Sequence, residues 1–128
     1  MQPSPVLRIA THADMHAIWQ IDADVFGEDV YPAFFFRQAM DLWPALLVVA
    51  ELEGRLLGYA LGGLGQVPSQ GWLLSLAGRT EARGFGLAGR MMLRVEQALA
   101  GLQVARVRLT VDPANPAKRL YFRLGYQQ

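Results

Sequence analysis

The chain has 128 residues, a formal net charge of +1 and no cysteine. Its length is that of one domain, and a hydrophobic content of 52% is high enough for a buried core, which excludes a disordered chain. The balanced charge favours neither nucleic acid nor an anionic membrane as a partner. Because disulfides and thiolate metal sites are excluded, we expect a cytoplasmic protein.

Two further features argue against a metal site and a membrane span. His12 and His16 are four residues apart but have no third ligand nearby, so we expect no bound metal. The longest apolar run, residues 42–50, is interrupted by Pro44 and is too short to cross a bilayer.

The first half of the chain predicts a short strand, two helices and a hairpin. Thr11 is a typical N-cap for a helix whose apolar stripe comprises Ile18, Ile21 and Val25. A buried run is followed by a Glu-Gly turn and a returning strand. The predicted ranges are strand 6–10, a helix from residue 11, helix 34–42 and strands 46–52 and 55–64.

The second half predicts a strand, a glycine-rich connection, a helix, a strand and a last helix. The predicted ranges are strand 72–77, connection 84–89, a helix to about residue 100, strand 104–111 and a helix that begins at 115–116. Tight turns join the first strands into an antiparallel meander, whereas the strand–helix–strand step requires a parallel, right-handed crossover. We therefore predict one mixed α/β (α+β) domain over residues 1–128, with helices on both faces of a mostly antiparallel sheet.

The glycine-rich connection has the properties of an anion site. The first amides of a helix lack internal partners, and the helix dipole adds partial positive charge there. Gly84 and Gly86 have no side chains, so a phosphate could approach the backbone closely. The run matches neither the P-loop nor the dinucleotide fingerprint, and a purely structural turn is the alternative interpretation.

Residues 83–88, Arg-Gly-Phe-Gly-Leu-Ala, resemble the central motif Gln/Arg-x-x-Gly-x-Gly/Ala of the GNAT acetyltransferase superfamily. Residues 115–121 and 124–126 are similar to the last helix of that family, and residues 8–14 are a weaker match. The two main motifs have the order and spacing of the family. The resemblance covers nearly the whole chain.

The resemblance implies an acetyl-CoA-dependent N-acetyltransferase in which two parallel strands splay apart around the cosubstrate. The pyrophosphate would lie on the glycine turn, the pantetheine arm would pair with residues 76–78, and Tyr121 would lie beside the sulfur as the acid that protonates the thiolate. The predicted cofactor-binding residues are Leu76, Ala77, Gly78, Arg83, Gly84, Phe85, Gly86, Leu87, Ala88, Gly89, Arg90 and Asn115.

The acceptor is less well defined by the sequence. We expect a small-molecule or peptide amine, and a homodimer is left open. Many relatives place a carboxylate on the strand facing the acceptor, but residues 63–75 contain no Asp, Glu or His, which leaves Glu28 and Asp29 as the nearest base candidates. The chain also ends two residues after Tyr126, where relatives continue into another strand. The alternatives are a catalytically inactive module that binds coenzyme A and a plain interaction domain.

Overall fold

The computed structural model describes residues 3–82 and 84–128. It contains five strands and four helices in the order β1, α1, α2, β2, β3, β4, α3, β5, α4 within these residues. The strands are β1 Val6–Ile9, β2 Leu47–Leu52, β3 Arg55–Leu64, β4 Gln70–Gly78 and β5 Arg106–Arg108. The helices are α1 Met15–Phe26, α2 Ala33–Leu42, α3 Leu87–Gly101 and α4 Ala117–Arg123.

The strands form one mixed sheet in the order β1-β2-β3-β4-β5. The first three pairs are antiparallel, whereas β4 and β5 are parallel because α3 connects them as a crossover. The predicted sheet class and the parallel pair are thus confirmed.

Helices cover both faces of the sheet, as predicted. On one face, α1 and α2 bury Ile18, Ile21 and Phe36 against Tyr59 and Leu61 of β3. On the other face, α3 packs on the opposite side of β2 and β3, and α4 adds a smaller cluster in which Leu73 and Met92 contact Tyr121. The sheet is therefore the central layer of a three-layer domain.

The connection between β1 and α1 is fixed by a charged clamp. The Asp14 carboxylate accepts a hydrogen bond from the Thr11 backbone amide at 2.7 Å, so Thr11 caps the short 3-10 turn His12–Asp14, while the N-cap of α1 itself is Asp14. Arg8 binds the same carboxylate through both terminal nitrogens at 2.7 and 2.9 Å and also contacts Glu51 of β2 at 3.1 Å. This clamp holds the pKa of Asp14 below its ordinary value, chiefly through the hydrogen bonds from Arg8.

Two local predictions, the length of the last strand and the burial of Val25, differ from the structure. The last strand is shorter than the predicted 104–111, because β5 keeps a hydrogen-bonded neighbour only beside the start of β4. The third helix does run out of the glycine-rich connection as predicted, and it begins at Leu87 because Gly84 and Gly86 adopt left-handed backbone conformations that a helix excludes. Val25, predicted in the apolar stripe of α1, is 46% exposed and borders a cavity. Within the described residues, no helix is both long and apolar enough to span a membrane.

Candidate active site

A large cavity lies at the point where β4 and β5 separate. Its volume is about 1070 Å³, the upper end of the range for small-molecule sites. It is bordered by β4, the glycine turn, the start of α3, the chain after β5 and helix α4. The residues that line it come from sequence positions 25 to 123, so the fold as a whole builds the site.

The separation of the two parallel strands creates the cleft. The pairing between β4 and β5 comprises three residue pairs and stops at Trp72 and Arg108. Beyond this point β4 continues to Gly78, while the chain after β5 borders the cavity through Leu109, Thr110 and Val111. An unpaired strand edge is a template for an extended ligand, since its backbone groups lack strand partners.

The glycine turn forms one end of the cavity. Gly84 has a φ of 93° and Gly86, the N-cap of α3, a φ of 64°. A Cβ atom added at either position would meet nothing within 4 Å, so both glycines face open space. Their backbone geometry therefore favours glycine, and the lack of side chains leaves the start of α3 accessible.

The first amides of α3 are only partly used by the protein. Arg90 N donates to Gly86 O at 3.2 Å, and Phe85 N makes a long contact to Ala82 O at 3.4 Å. Among residues 3–82 and 84–128, no acceptor is recorded for the amides of Ala88 and Gly89. The helix thus presents unpaired donors to the cavity, as an anion site requires.

Most of the predicted cofactor-binding residues come together in this cavity. The lining includes Leu76, Ala77, Gly78, Gly84, Gly86, Leu87, Ala88, Gly89 and Asn115. Phe85 and Arg90 do not line it; the Arg90 guanidinium instead donates to the Pro5 carbonyl at 3.5 Å. Arg83, also predicted, lies outside the described residues. The sequence did not single out Arg123, whose position in the last turn of α4 adds a cation to the lining.

Asn115 is placed by the start of α4. Its side-chain oxygen accepts a hydrogen bond from the Ala117 amide at 2.9 Å and so caps the helix. This bond fixes the orientation of the side chain and leaves the two N–H donors of the amide available to a ligand.

Tyr121 lies on the inner face of α4 and borders the cavity, as its sequence position predicted. Burial raises the pKa of its hydroxyl, so the group holds its proton at neutral pH. The described residues supply no hydrogen-bond partner to this hydroxyl, whereas the neighbouring Tyr126 donates to Glu96 at 2.7 Å. Tyr121 therefore offers the cavity a free proton donor.

A bulge in β4 changes which side chains face α1. Leu61 pairs with Ser75 and Gly62 pairs with Leu73, which leaves Leu74 without a partner on β3. As a result Leu74 packs with the α1–α2 cluster and the adjacent Ser75 contacts Tyr59 of that cluster, although consecutive strand residues normally face opposite sides.

A buried polar chain, missed by the sequence analysis, links this bulge to α1. Tyr59 donates to the Asp22 carboxylate, and the Tyr59 and Ser75 hydroxyls lie 2.6 Å apart. The second Asp22 oxygen accepts a hydrogen bond from the Tyr31 amide at 2.9 Å. Burial, followed by the hydrogen bond to Asp22, raises the pKa of Tyr59, so its hydroxyl is protonated. The sequence signal was an acidic residue on the apolar face of α1, beside Ile18 and Ile21.

The candidate base residues of the loop before α2 differ in position. Asp29 borders the cavity with Tyr31, whereas Glu28 does not. Both carboxylates are exposed. In the described part of the chain, no group of three or more His, Asp or Glu side chains could hold a metal ion.

Proteins similar in sequence to this chain are named as N-acetyltransferases. The acetyltransferase (GNAT) family matches residues 13–126. An uncharacterised N-acetyltransferase of Methanocaldococcus jannaschii is 28% identical over 124 residues, which are 95% of this chain and 78% of the relative. An N-alpha-acetyltransferase of Sulfurisphaera tokodaii is also 28% identical, over 134 residues that cover 95% of this chain and 80% of the relative.

A solved structure shares the fold. The diaminobutyrate acetyltransferase EctA of Paenibacillus lautus, in complex with L-2,4-diaminobutyric acid and coenzyme A, superimposes with a TM-score of 0.86 at 22% identity. The match covers 95% of this chain and 74% of that protein. With the family match over 13–126, the chain belongs to the GNAT acetyltransferase family and is an acetyl-CoA-dependent N-acetyltransferase.

The cavity contains backbone groups that suit two parts of acetyl-CoA. The free edge of β4 suits an amide-containing arm, and the accessible start of α3 suits a diphosphate. Arg123 and Arg79, which also pairs with Asp24 at 3.4 Å, add positive charge to the lining, whereas Asp29 and Asp112 add negative charge. The donors required by the cosubstrate are thus present in one continuous cleft.

Proposed function

We propose that the protein acetylates a primary amine, of a small molecule or a peptide, by direct attack of the amine on the thioester, with Tyr121 as the acid for the leaving sulfur. The observation that carries the proposal is the free, protonated Tyr121 hydroxyl in the cleft between β4 and α4. Acetyl-CoA supplies the activated thioester carbonyl.

The two faces of the sheet divide the reaction between them. Tyr121 contacts Leu73 on the α3–α4 face, whereas Ser75 and Tyr31 border the cavity from the α1–α2 face. An amine that enters from the α1–α2 side would approach the carbonyl opposite to the tyrosine. This arrangement would place Tyr121 beside the thiolate that leaves the tetrahedral adduct and keep it clear of the entering amine.

Each step assigns a defined task to the protein. Tyr121 Oη gives its proton to the departing thiolate, since a phenol is a hydrogen-bond donor, and the attacking nitrogen would lose a proton that returns through water to the tyrosinate. Backbone amides on the free edge of β4, at residues 76–78, would stabilise the negative charge that develops on the carbonyl oxygen. The amides of Ala88 and Gly89 and the side-chain amide of Asn115 would hold the rest of the cosubstrate.

The acceptor class is supported by the relatives. One is named for N-alpha-acetylation, and the structure of EctA contains the small diamine substrate L-2,4-diaminobutyric acid. Both kinds of acceptor present a primary amine, which is mostly protonated at neutral pH, at a pKa of about 10 for alkylamines. The site must therefore bind an ammonium and allow it to lose a proton.

Acetyl-CoA labelled in the acetyl group tests this proposal. The labelled cosubstrate would be incubated with peptides bearing free N-termini, with L-2,4-diaminobutyrate and with spermidine, and the thiol released would be measured in parallel. We expect label in an amide product of at least one amine, with one thiol released per amide formed. Coenzyme A binding without transfer to any of these amines would contradict the proposal.

A further inference from the structure

We infer that the buried chain Asp22–Tyr59–Ser75 orients the Ser75 hydroxyl as a hydrogen-bond acceptor for the acceptor ammonium. The inference rests on the proposed function, and it adds a residue that touches the substrate, Ser75, and two positioning residues behind it.

Only one member of the chain reaches the cavity. The Asp22 and Tyr59 side chains are 0% exposed, whereas Ser75 is 9% exposed and borders the cavity beside Tyr31. Of these three residues a ligand can therefore touch Ser75 alone, and Asp22 can act on that ligand through hydrogen bonds only by way of the tyrosine.

The direction of the hydrogen bonds follows from Asp22. A carboxylate only accepts, and it accepts from the Tyr31 amide at one oxygen and from the Tyr59 hydroxyl at the other. The Tyr59 hydroxyl donates its only hydrogen to Asp22, so the Tyr59 oxygen must accept the hydrogen bond from the Ser75 hydroxyl at 2.6 Å. The Ser75 proton then points away from the cavity, and the serine oxygen offers its lone pairs to a donor.

The charge of Asp22 favours the same ligand. Among the described residues, no Lys, Arg or His nitrogen lies within the 4.0 Å salt-bridge distance of its carboxylate. Buried charges in proteins are normally paired, so a cation bound beside Ser75 would balance it. An ammonium is both a cation and a donor, and thus meets both requirements.

The substitution Asp22→Asn would reverse the direction of the hydrogen bonds between residues 22, 59 and 75 with almost no change in side-chain shape. The Tyr31 amide donates to position 22, so the asparagine oxygen must face Tyr31 and the asparagine NH₂ must face Tyr59. Tyr59 then accepts from Asn and donates to Ser75, whose proton turns into the cavity. The site would present a donor to a ligand that is itself a donor.

The experiment compares Asp22→Asn, Ser75→Ala and the double variant with the wild type. The KM of the best amine from the labelled-acetyl panel, kcat and the Kd of coenzyme A would be measured for each. We expect Asp22→Asn and Ser75→Ala each to raise the amine KM by about tenfold or more, the size of a hydrogen bond to a charged group. The Kd of coenzyme A should change less than twofold.

The double variant tests whether Asp22 acts by orienting the Ser75 hydroxyl or only by stabilising the fold. If Asp22 acts chiefly through Ser75, adding Asp22→Asn to Ser75→Ala raises the amine KM by much less than Asp22→Asn does alone. Additive effects, or an unchanged KM in Asp22→Asn, would overturn the inference. Should Asp22→Asn fail to fold, Ser75→Ala decides, since an unchanged KM in this variant excludes contact with the amine.

Failure of the proposed function would be visible separately. If the wild type transferred acetyl to no amine, the Kd of L-2,4-diaminobutyrate and spermidine would be measured by calorimetry on the protein saturated with coenzyme A. Weaker amine binding in Asp22→Asn than in the wild type would support the inference even then. Equal binding, or no amine binding to either protein, would overturn it.

Discussion

Gly86 allows the charge at the glycine turn to be changed while size is held constant. Its φ is 64°, and a side chain there would enter open space at the start of α3. Asn and Asp tolerate left-handed backbone better than other L-residues and have nearly the same shape. Gly86→Asn and Gly86→Asp therefore form a matched pair in which only the second carries a negative charge.

The expected difference can be estimated from Coulomb's law. One carboxylate roughly 6 Å from one phosphate charge costs about 0.7 kcal/mol at a dielectric constant of 80 and about 2.8 kcal/mol at 20. These energies correspond to roughly 3- to 100-fold weaker binding. The helix dipole favours an acid at this position, so the Asp variant should not lose stability because of its charge.

Isothermal titration with coenzyme A, together with thermal unfolding, would test this reasoning. We expect Gly86→Asp to bind coenzyme A more weakly than Gly86→Asn, with a smaller difference at high salt because ions screen the repulsion. The unfolding temperatures of the two variants should be similar. Equal dissociation constants at low salt would show that no phosphate lies at this turn.

Three other predictions concern catalysis, pH and packing. Tyr121→Phe should lower kcat by about 100-fold or more through loss of general acid catalysis, whereas Tyr126→Phe should not. The Kd of coenzyme A should be unchanged in both variants. Equal kcat values for the two variants would exclude Tyr121 from the chemistry. The lowered pKa of Asp14 adds stability that is complete above its unfolded pKa of about 4 and is lost as the pH falls through the folded pKa. Urea unfolding should therefore show a gap between wild type and Asp14→Asn at pH 7 that shrinks below about pH 4, and a gap independent of pH would contradict this assignment. Gly62→Ala should destabilise the fold by about 1–3 kcal/mol, because its Cβ would lie 2.6 Å from Val95 Cγ1. The control Gly101→Ala, whose Cβ would have nothing within 4 Å, should be neutral or stabilising. Similar unfolding temperatures for the two variants would refute the packing argument.

The parts of the fold that depend on local pattern were predictable from the sequence. The glycines at 84 and 86, the amphipathic helix after them and the Asn-Pro start of α4 are all short-range signals. The length of β5 was not predictable in this way. Residues 104–111 alternate like a strand, but most of them leave the sheet because β4 diverges from them, which is a tertiary property.

The polar chain behind Ser75 was out of reach for a similar reason. Its hydrogen bonds join residues 37 and 16 positions apart, on a helix and two strands, and no fixed spacing marks them. Residues 63–75 contain no carboxylate, but the fold brings the Asp22 carboxylate of α1 to the back of that strand. Arg90 was predicted to bind the cofactor because it follows the glycine turn in sequence, but its guanidinium donates to the Pro5 carbonyl instead.

Amide chemical shifts of the ¹⁵N-labelled protein, followed during titration with coenzyme A, test the central claim most directly. If the accessible start of α3 and the free edge of β4 hold the cosubstrate, the largest changes should occur at Ala88, Gly89 and residues 76–78. The amides of Arg8 and Ile9 in β1, at the opposite edge of the sheet from β5, should stay in place. Saturable changes confined to other residues, with Ala88 and Gly89 unaffected, would contradict the account.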